Sequence, residues 1–284
     1  MDVDIAQWID IGLIVVGGVM LSVTVTIVTA RRRWRSALSC VPMRSDRIDL
    51  VHLAVVVLLF MSVMMGMNHL GRMLEPPGNL SQDQWMGTES VQGFWPILAG
   101  TAAKVITAVL LCVGVAVTMA GGLSRFGLRP QRLRRDLVWA GLGYLMIWPV
   151  CAGIAYLIVW CTGRPAIHGV LNLLRYEGLP VWGTVALWIS GVLVSPVAEE
   201  LFFRGLLQTV IRSYVDRPWL AIGLAAIAFG LVHHFQPQYV VPLTVLGLAL
   251  GYVYEHTGSL VAPILIHVLF NVRTIAIDLL QRSG

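Results

Sequence analysis

The chain has 284 residues, of which 57% are hydrophobic and only 12% are charged. Soluble domains carry about 25% charged residues, so this composition, with a mean hydropathy of +0.78, excludes an ordinary soluble protein. The net charge of +5 comes from arginines grouped between apolar runs, which is the pattern of cytoplasmic loops in membrane proteins. We therefore expect a lipid bilayer around the protein and no nucleic-acid partner.

Eight apolar runs predict eight transmembrane spans, because about 20 apolar residues cross ~30 Å of hydrocarbon. The predicted spans cover residues 11–30, 50–70, 94–121, 137–161, 181–208, 220–235, 239–254 and 260–280. The predicted fold class is all-α, a polytopic transmembrane helix bundle. We expect it in the inner or plasma membrane of a bacterial cell.

Ionisable residues divide the chain into two predicted domains. Residues 1–134 form an N-terminal region of about three spans, with a polar and net acidic loop at 71–93 that we expect outside the cell. Lys104 and His69 fall near the expected span ends, where such side chains can reach the interface. Residues 135–284 hold most of the ionisable residues within spans and are predicted to form the domain that carries the polar chemistry.

The run SPVAEELFFRGLLQ places Glu199, Glu200 and Arg204 inside the fifth span. Each unpaired charge at the centre of a span costs ~2.5–3.5 kcal/mol, so these side chains need partners. Glu200 and Arg204 are spaced i,i+4 and can form an ion pair, whereas Glu199 lies about 100° around the helix. This spacing predicts a structural pair beside a glutamate that is free to act. It equally fits three charges that line a water-filled cleft or join helices.

Histidines on two further spans add to this cluster. His233 falls late in the sixth span, and His267 and Asn271 share a face of the eighth. Glu199 and His233 are each 17 residues from Asp216 at the inner turn, which puts both about 25 Å from it. His267 is only ~15 Å from the next inner turn, so helix tilt or a long fifth helix must bring it level. The set supplies a general base, a water-orienting imidazole and oxyanion donors, which favours acyl hydrolysis.

Three sequence motifs resemble those of a known family. EELFFR, FGLVH and HVLFN match the motifs EExxxR, FxxxH and HxxxN of the CAAX protease and bacteriocin-processing enzyme (CPBP) family, which includes the type II CAAX prenyl endopeptidases. The resemblance covers roughly residues 135–280. It implies an intramembrane endopeptidase with a conical cleft lined by the C-terminal spans. The implied substrates are membrane-associated proteins or peptides, including lipidated ones.

The resemblance also implies roles for seven residues. The four catalytic residues would be Glu199, His233, His267 and Asn271. The three supporting residues would be Glu200, Arg204 and Phe229. Glu199 would activate the attacking water together with His233, and His267 and Asn271 would stabilise the oxyanion. His234, next to His233, lies outside the motif.

A metal-dependent mechanism is the alternative chemistry. Glu199, His233 and His267 form a His₂Glu ligand set of the kind that catalytic zinc uses, so zinc or another divalent metal would be the cofactor. The HExxH motif is absent, however. If Glu199 were a ligand, no other carboxylate would be clearly placed as the base. Counting ligands therefore favours a metal-independent glutamate mechanism without a cofactor.

Two other functions fit the same residues less closely. A non-catalytic membrane scaffold or immunity-type protein of the same fold is the alternative function. A proton-coupled transporter would explain buried Glu and His residues but predicts an internal repeat, which the sequence lacks. The GxxxG at Gly247–Gly251 indicates close helix packing inside the bundle, in preference to dimerisation.

Overall fold

The computed structural model describes residues 12–20, 22, 50–74, 94–118, 122–125, 127–128, 133–163, 174, 180–215, 217–234 and 236–283. Within these ranges the regular structure is helical and contains no strand. The predicted all-α fold class is therefore confirmed.

After the helical residues 12–20, eight helices follow one another along the described part of the chain from Leu50 onward. They are α1 (Leu50–Leu74), α2 (Phe94–Thr118), α3 (Gly122–Arg125), α4 (Leu133–Thr162), α5 (Val181–Tyr214), α6 (Pro218–Leu231), α7 (Pro237–Thr257) and α8 (Val261–Ser283).

Most of the predicted spans correspond to helices that can cross a membrane. By length and composition, α1, α2, α4, α5 and α7 are long and apolar enough, and α6 is a shorter apolar helix. The first predicted span is described only at residues 12–20 and 22, which are helical. The predicted external loop at 71–93 lies outside the described residues, apart from four residues that continue α1 to Leu74. The protein is thus an integral membrane protein with multiple spans.

Helix α5 contains two π-helical segments, Ser190–Val194 and Leu201–Gln208. In the first, the N–H of Ser195 donates to the carbonyl of Ser190, five residues back. Pro196 has no N–H and its ring crowds the carbonyl four residues before it, which favours such a widened turn. A π-helix places more residues in each turn than an α-helix, so α5 advances less per residue on both sides of the two glutamates.

Polar contacts tie α5 to α7 at four-residue intervals along both helices. The contacts are Arg204 Nη2 to Gly247 O at 3.2 Å, Gln208 Nε2 to Gly251 O at 3.1 Å, and Arg212 Nε to Glu255 Oε1 at 2.9 Å. The residue numbers rise together, so the two helices run parallel. A Cβ added at Gly251 would lie 2.8 Å from Gln208 Oε1, and one at Gly247 would lie 3.0 Å from the Ala226 backbone. The GxxxG therefore packs inside the bundle, as predicted.

Helix α2 packs along the same α5. Leu111 and Val115 of α2 share a buried cluster with Leu201, Leu206 and Val210 of α5. Near the first π-helical segment, the hydroxyl oxygens of Thr101 and Ser190 lie 2.6 Å apart. An N-terminal helix thus lies directly against the helix that carries the EExxxR motif.

Candidate active site

A buried ion pair anchors the site, as the i,i+4 spacing predicted. Arg204 Nη1 donates to Glu200 Oε1 at 2.8 Å, and both side chains are almost completely buried. The same carboxylate oxygen accepts a hydrogen bond from His267 Nδ1 at 2.9 Å. Glu200 therefore both neutralises Arg204 and sets the orientation of the His267 ring, leaving Nε2 to point elsewhere. This contact also brings His267 level with the glutamates, which resolves the depth difference expected from straight α-helices.

Glu199 lies beside this pair and contacts a different set of groups. Lys104 Nζ donates to Glu199 Oε1 at 3.1 Å, while the second carboxylate oxygen, Oε2, lies 3.9 Å from His267 Nε2. Lys104 also donates to Ser195 Oγ at 2.8 Å. The Glu199 side chain is 18% exposed, in contrast to that of Glu200. Of the two carboxylates, Glu199 is thus the one with part of its surface exposed.

The expectation that Lys104 lies near a span end is wrong. Lys104 is the eleventh residue of the 25-residue helix α2, about 15 Å from its start. A charge at that depth needs a partner, and the partner is Glu199. Sequence reasoning missed this residue because the partner lies 95 positions further along the chain. The sequence did contain one signal of this contact, a lysine in the middle of an apolar span.

His233 lies just beyond α6, which corrects the prediction that it falls within the sixth span. The helix ends at Leu231, and His233 is in the turn that follows. Its Nδ1 is 2.9 Å from the Phe229 carbonyl, so a ring that donates there keeps Nε2 as an acceptor. His233 is half-buried and within electrostatic range of Glu199. The neighbouring His234 is exposed.

Phe229 is the packing centre of the site. Its fully buried ring contacts the rings of His233 and His267 edge to face, with centroids 5.4 and 5.6 Å away. The Arg204 guanidinium carbon lies 4.6 Å from the same ring centroid, within the range of a cation–π contact. Phe229 therefore holds both imidazoles and the buried cation in fixed positions around one aromatic ring.

Asn271 is oriented by the first π-helical segment. In this segment the Ser195 N–H donates to Ser190, and Pro196, the next residue, has no N–H to offer. The Gly191 carbonyl is therefore left without either helical donor, and Asn271 Nδ2 donates to it at 2.8 Å. An amide nitrogen carries two hydrogens, so the second one can serve another acceptor.

The charges of the site balance. Glu199 faces Lys104, and Glu200 faces Arg204, so two carboxylates are each matched by a cation. Unpaired intramembrane charges are costly, and this pairing stabilises both carboxylates inside the bundle. His233 and His267 both lie within electrostatic range of Glu199.

The metal alternative would use Glu199, His233 and His267 as ligands. Nowhere in the described ranges do three or more His, Cys, Asp or Glu side chains come close enough together to hold a metal ion. Of the three side chains, Glu199 Oε1 contacts Lys104 and His267 Nδ1 contacts Glu200, while Glu199 Oε2 and His267 Nε2 face each other across 3.9 Å.

Comparison with known proteins connects this site with a family. The profile described as "Type II CAAX prenyl endopeptidase Rce1-like" matches residues 181–273, a segment that contains all three motifs. A curated relative, CAAX prenyl protease 2 of Arabidopsis thaliana, is 26% identical over 158 residues, covering 49% of this chain and 50% of that protein. The chain thus spans about half the length of this relative. No solved structure matches the chain.

Proposed function

We propose that this chain, whose residues 181–273 match the profile described as Rce1-like type II CAAX prenyl endopeptidase, is an intramembrane endopeptidase. Its substrates would be membrane-associated proteins or peptides, with prenylated ones as the first class to test. The observation that carries the proposal is Glu199, a partly exposed carboxylate inside the bundle that lies beside His267.

In the proposed reaction, Glu199 acts as the general base. A water between Glu199 and His233 gives a proton to the carboxylate, and its oxygen attacks the scissile carbonyl carbon. His233, with Nδ1 directed to the Phe229 carbonyl, orients this water through Nε2. Positioned general bases contribute ~10²–10⁴-fold to rate, which sets the expected loss on removing the carboxylate.

The second half of the proposed site stabilises the oxyanion. Asn271, held by the Gly191 carbonyl, directs its second amide hydrogen to the developing negative charge. His267, held by Glu200, donates from Nε2 when both of its nitrogens are protonated. The C–N bond then breaks, and the proton held by Glu199 passes to the leaving amine. Donors that are already fixed need no reorganisation during the reaction, which is the source of their effect.

The experiment compares wild type with Glu199→Gln at matched abundance in host membranes, with Glu255→Gln as the control. Glu255 is a buried glutamate that, like Glu199, pairs with a basic side chain, here Arg212. It lies near the C-terminal end of α7. We expect peptide termini, mapped by mass spectrometry, that appear with wild type and the control and disappear with Glu199→Gln. The purified proteins would be assayed in parallel on a fluorogenic farnesylated peptide.

Identical termini with wild type and a folded Glu199→Gln protein would contradict the proposal. A cellular effect that persists in that variant would instead support a non-catalytic scaffold. Cleavage of cellular substrates without cleavage of the farnesylated peptide would retain the endopeptidase and exclude that prenylated peptide as a substrate.

A further inference from the structure

Lys104 lies outside the segment that matches the family, yet it contacts the centre of the site. It comes from α2 in the N-terminal region, whereas the family profile begins at residue 181. Its Nζ donates to two acceptors on α5, Ser195 Oγ at 2.8 Å and Glu199 Oε1 at 3.1 Å. An ammonium held at two points has a defined position, so its contact with Glu199 is directional.

The backbone around Lys104 is fixed by packing. Ala103, its neighbour in α2, is completely buried, and Thr101, one turn earlier, contacts Ser190 at 2.6 Å. Thr101 and Lys104 thus meet α5 at the first residue of the π-helical segment and at the residue that follows it. The packing of α2 on α5 therefore fixes the backbone of Lys104 close to Glu199.

The contact with Lys104 gives the two carboxylate oxygens of Glu199 different surroundings. Oε1 accepts from Lys104, while Oε2 faces His267 Nε2 across 3.9 Å. That separation is too long for a direct hydrogen bond, so His267 does not occupy Oε2, which can accept from a water instead. The geometry leaves one oxygen for the reacting water and uses the other as an anchor.

We propose that Lys104 is a positioning residue of the hydrolytic site, which keeps Glu199 ionised and turns Oε2 toward the reacting water. The role of Lys104 in hydrolysis rests on the proposed function, whereas its effect on the charge and orientation of Glu199 does not. The N-terminal region then completes the active site in addition to anchoring it. An unpaired carboxylate at this depth would be costly, and Lys104 supplies the counter-charge.

A binding role for Lys104 toward the C-terminal carboxylate of a substrate fits less well. Each residue beyond the scissile bond of an extended peptide adds roughly 3.3–3.6 Å between the reacting carbonyl and the C-terminal carboxylate. Lys104 Nζ lies 3.1 Å from the proposed base itself, close to the reacting atoms. Lys104 is therefore positioned to act on Glu199 and its reacting water, and not on the C-terminal carboxylate of a substrate.

The first readout needs no substrate. Dicyclohexylcarbodiimide enters membranes and reacts with a protonated carboxyl, whose proton moves to a carbodiimide nitrogen as the oxygen bonds to the central carbon. We expect Glu199 in wild type and Lys104→Arg to react slowly, and Glu199 in Lys104→Met to react several-fold faster, as measured by mass spectrometry of its peptide. Thr107→Val is the matched control, because Thr107 is buried one turn further along α2.

The second readout is the kinetics of cleavage of the farnesylated peptide. A base held off its position by about 1 Å can cost ~100-fold in rate, so we expect Lys104→Met to lower kcat by up to that factor with little change in KM. Lys104→Arg should retain most of kcat, and Thr107→Val all of it. A purely structural lysine would lower the yield of folded protein and leave the kcat of the folded fraction unchanged.

The two readouts separate the possible failures. Equal carbodiimide labelling in wild type and Lys104→Met would overturn the inference, as would wild-type kcat in Lys104→Met. Faster labelling in Lys104→Met would support the effect of Lys104 on Glu199. If wild type then cleaved neither the farnesylated peptide nor any cellular protein, the proposed function alone would be overturned.

Discussion

Replacing Glu200 with glutamine tests whether the buried ion pair holds both the bundle and the His267 ring. The substitution keeps the shape and one acceptor oxygen but leaves the Arg204 guanidinium, which is 1% exposed, without its counter-charge. Breaking a buried pair by removing one partner costs about 3–5 kcal/mol. We expect about 3 kcal/mol, the lower end, because the Phe229 ring and the Gly247 carbonyl still face the cation.

The measurement is thermal unfolding of the purified protein in detergent. A loss of about 3 kcal/mol corresponds to a fall in Tm of roughly 6–12 °C for a chain of this size. Adding Arg204→Met to Glu200→Gln removes the orphaned charge and should restore most of that loss. The peptidase rate should stay low in the double variant, because the anionic acceptor of His267 Nδ1 is still missing.

Glu255→Gln provides the comparison, since Glu255 pairs with the buried Arg212 away from the two histidines. We expect it to lower Tm by a similar amount and to leave kcat near the wild-type value. An unchanged Tm in Glu200→Gln would refute the assigned energy of the pair. Full activity of the folded Glu200→Gln protein would refute its control of the His267 ring.

Three further predictions concern packing, the π-helical segment and metals. Gly251→Ala should cost about 1–3 kcal/mol through overpacking, since its Cβ would lie 2.8 Å from Gln208 Oε1 and moving Gln208 would break its hydrogen bonds to Gly251 O and Glu255; a wild-type Tm would contradict this. Asn271→Ala should lose stability because the Gly191 carbonyl loses its donor, and kcat should fall ~10²–10³-fold. Adding Pro196→Ala supplies an N–H and should recover Tm but not kcat. A chelator should leave peptidase activity unchanged, because the described residues form no cluster of three metal-binding side chains; loss of activity that zinc restores would favour the metal mechanism.

Local spacing predicted the parts of the site that depend on a single helix. The Glu200–Arg204 pair follows from i,i+4 geometry and forms at 2.8 Å. The close approach at Gly247 and Gly251 follows from the absence of side chains there, and the structure has it. Both predictions are confirmed because they require only that the segment be helical and packed against a neighbour.

The parts that spacing missed depend on neighbours or on backbone irregularity. Lys104 meets Glu199 only because α2 packs on α5, and no pattern along either helix encodes that contact. The π-helical segment Leu201–Gln208 shortens α5 beyond Glu199, which removes part of the depth difference calculated for His267 at a uniform rise. His233 lies in a turn because α6 ends at Leu231, whereas the apolar run continues beyond it.

The shortness of α6 has a consequence for the lipid around the protein. Its 14 residues reach only about 21 Å, whereas the hydrocarbon of a typical bilayer is ~30 Å thick. Thinning of the bilayer is one response to such mismatch, and thinning at the end of α6 would bring the interface closer to His233, which follows that end. A lipid-anchored substrate of the proposed endopeptidase would then present its polar backbone to the histidine from the interface, with only its acyl or prenyl chain among the lipid tails.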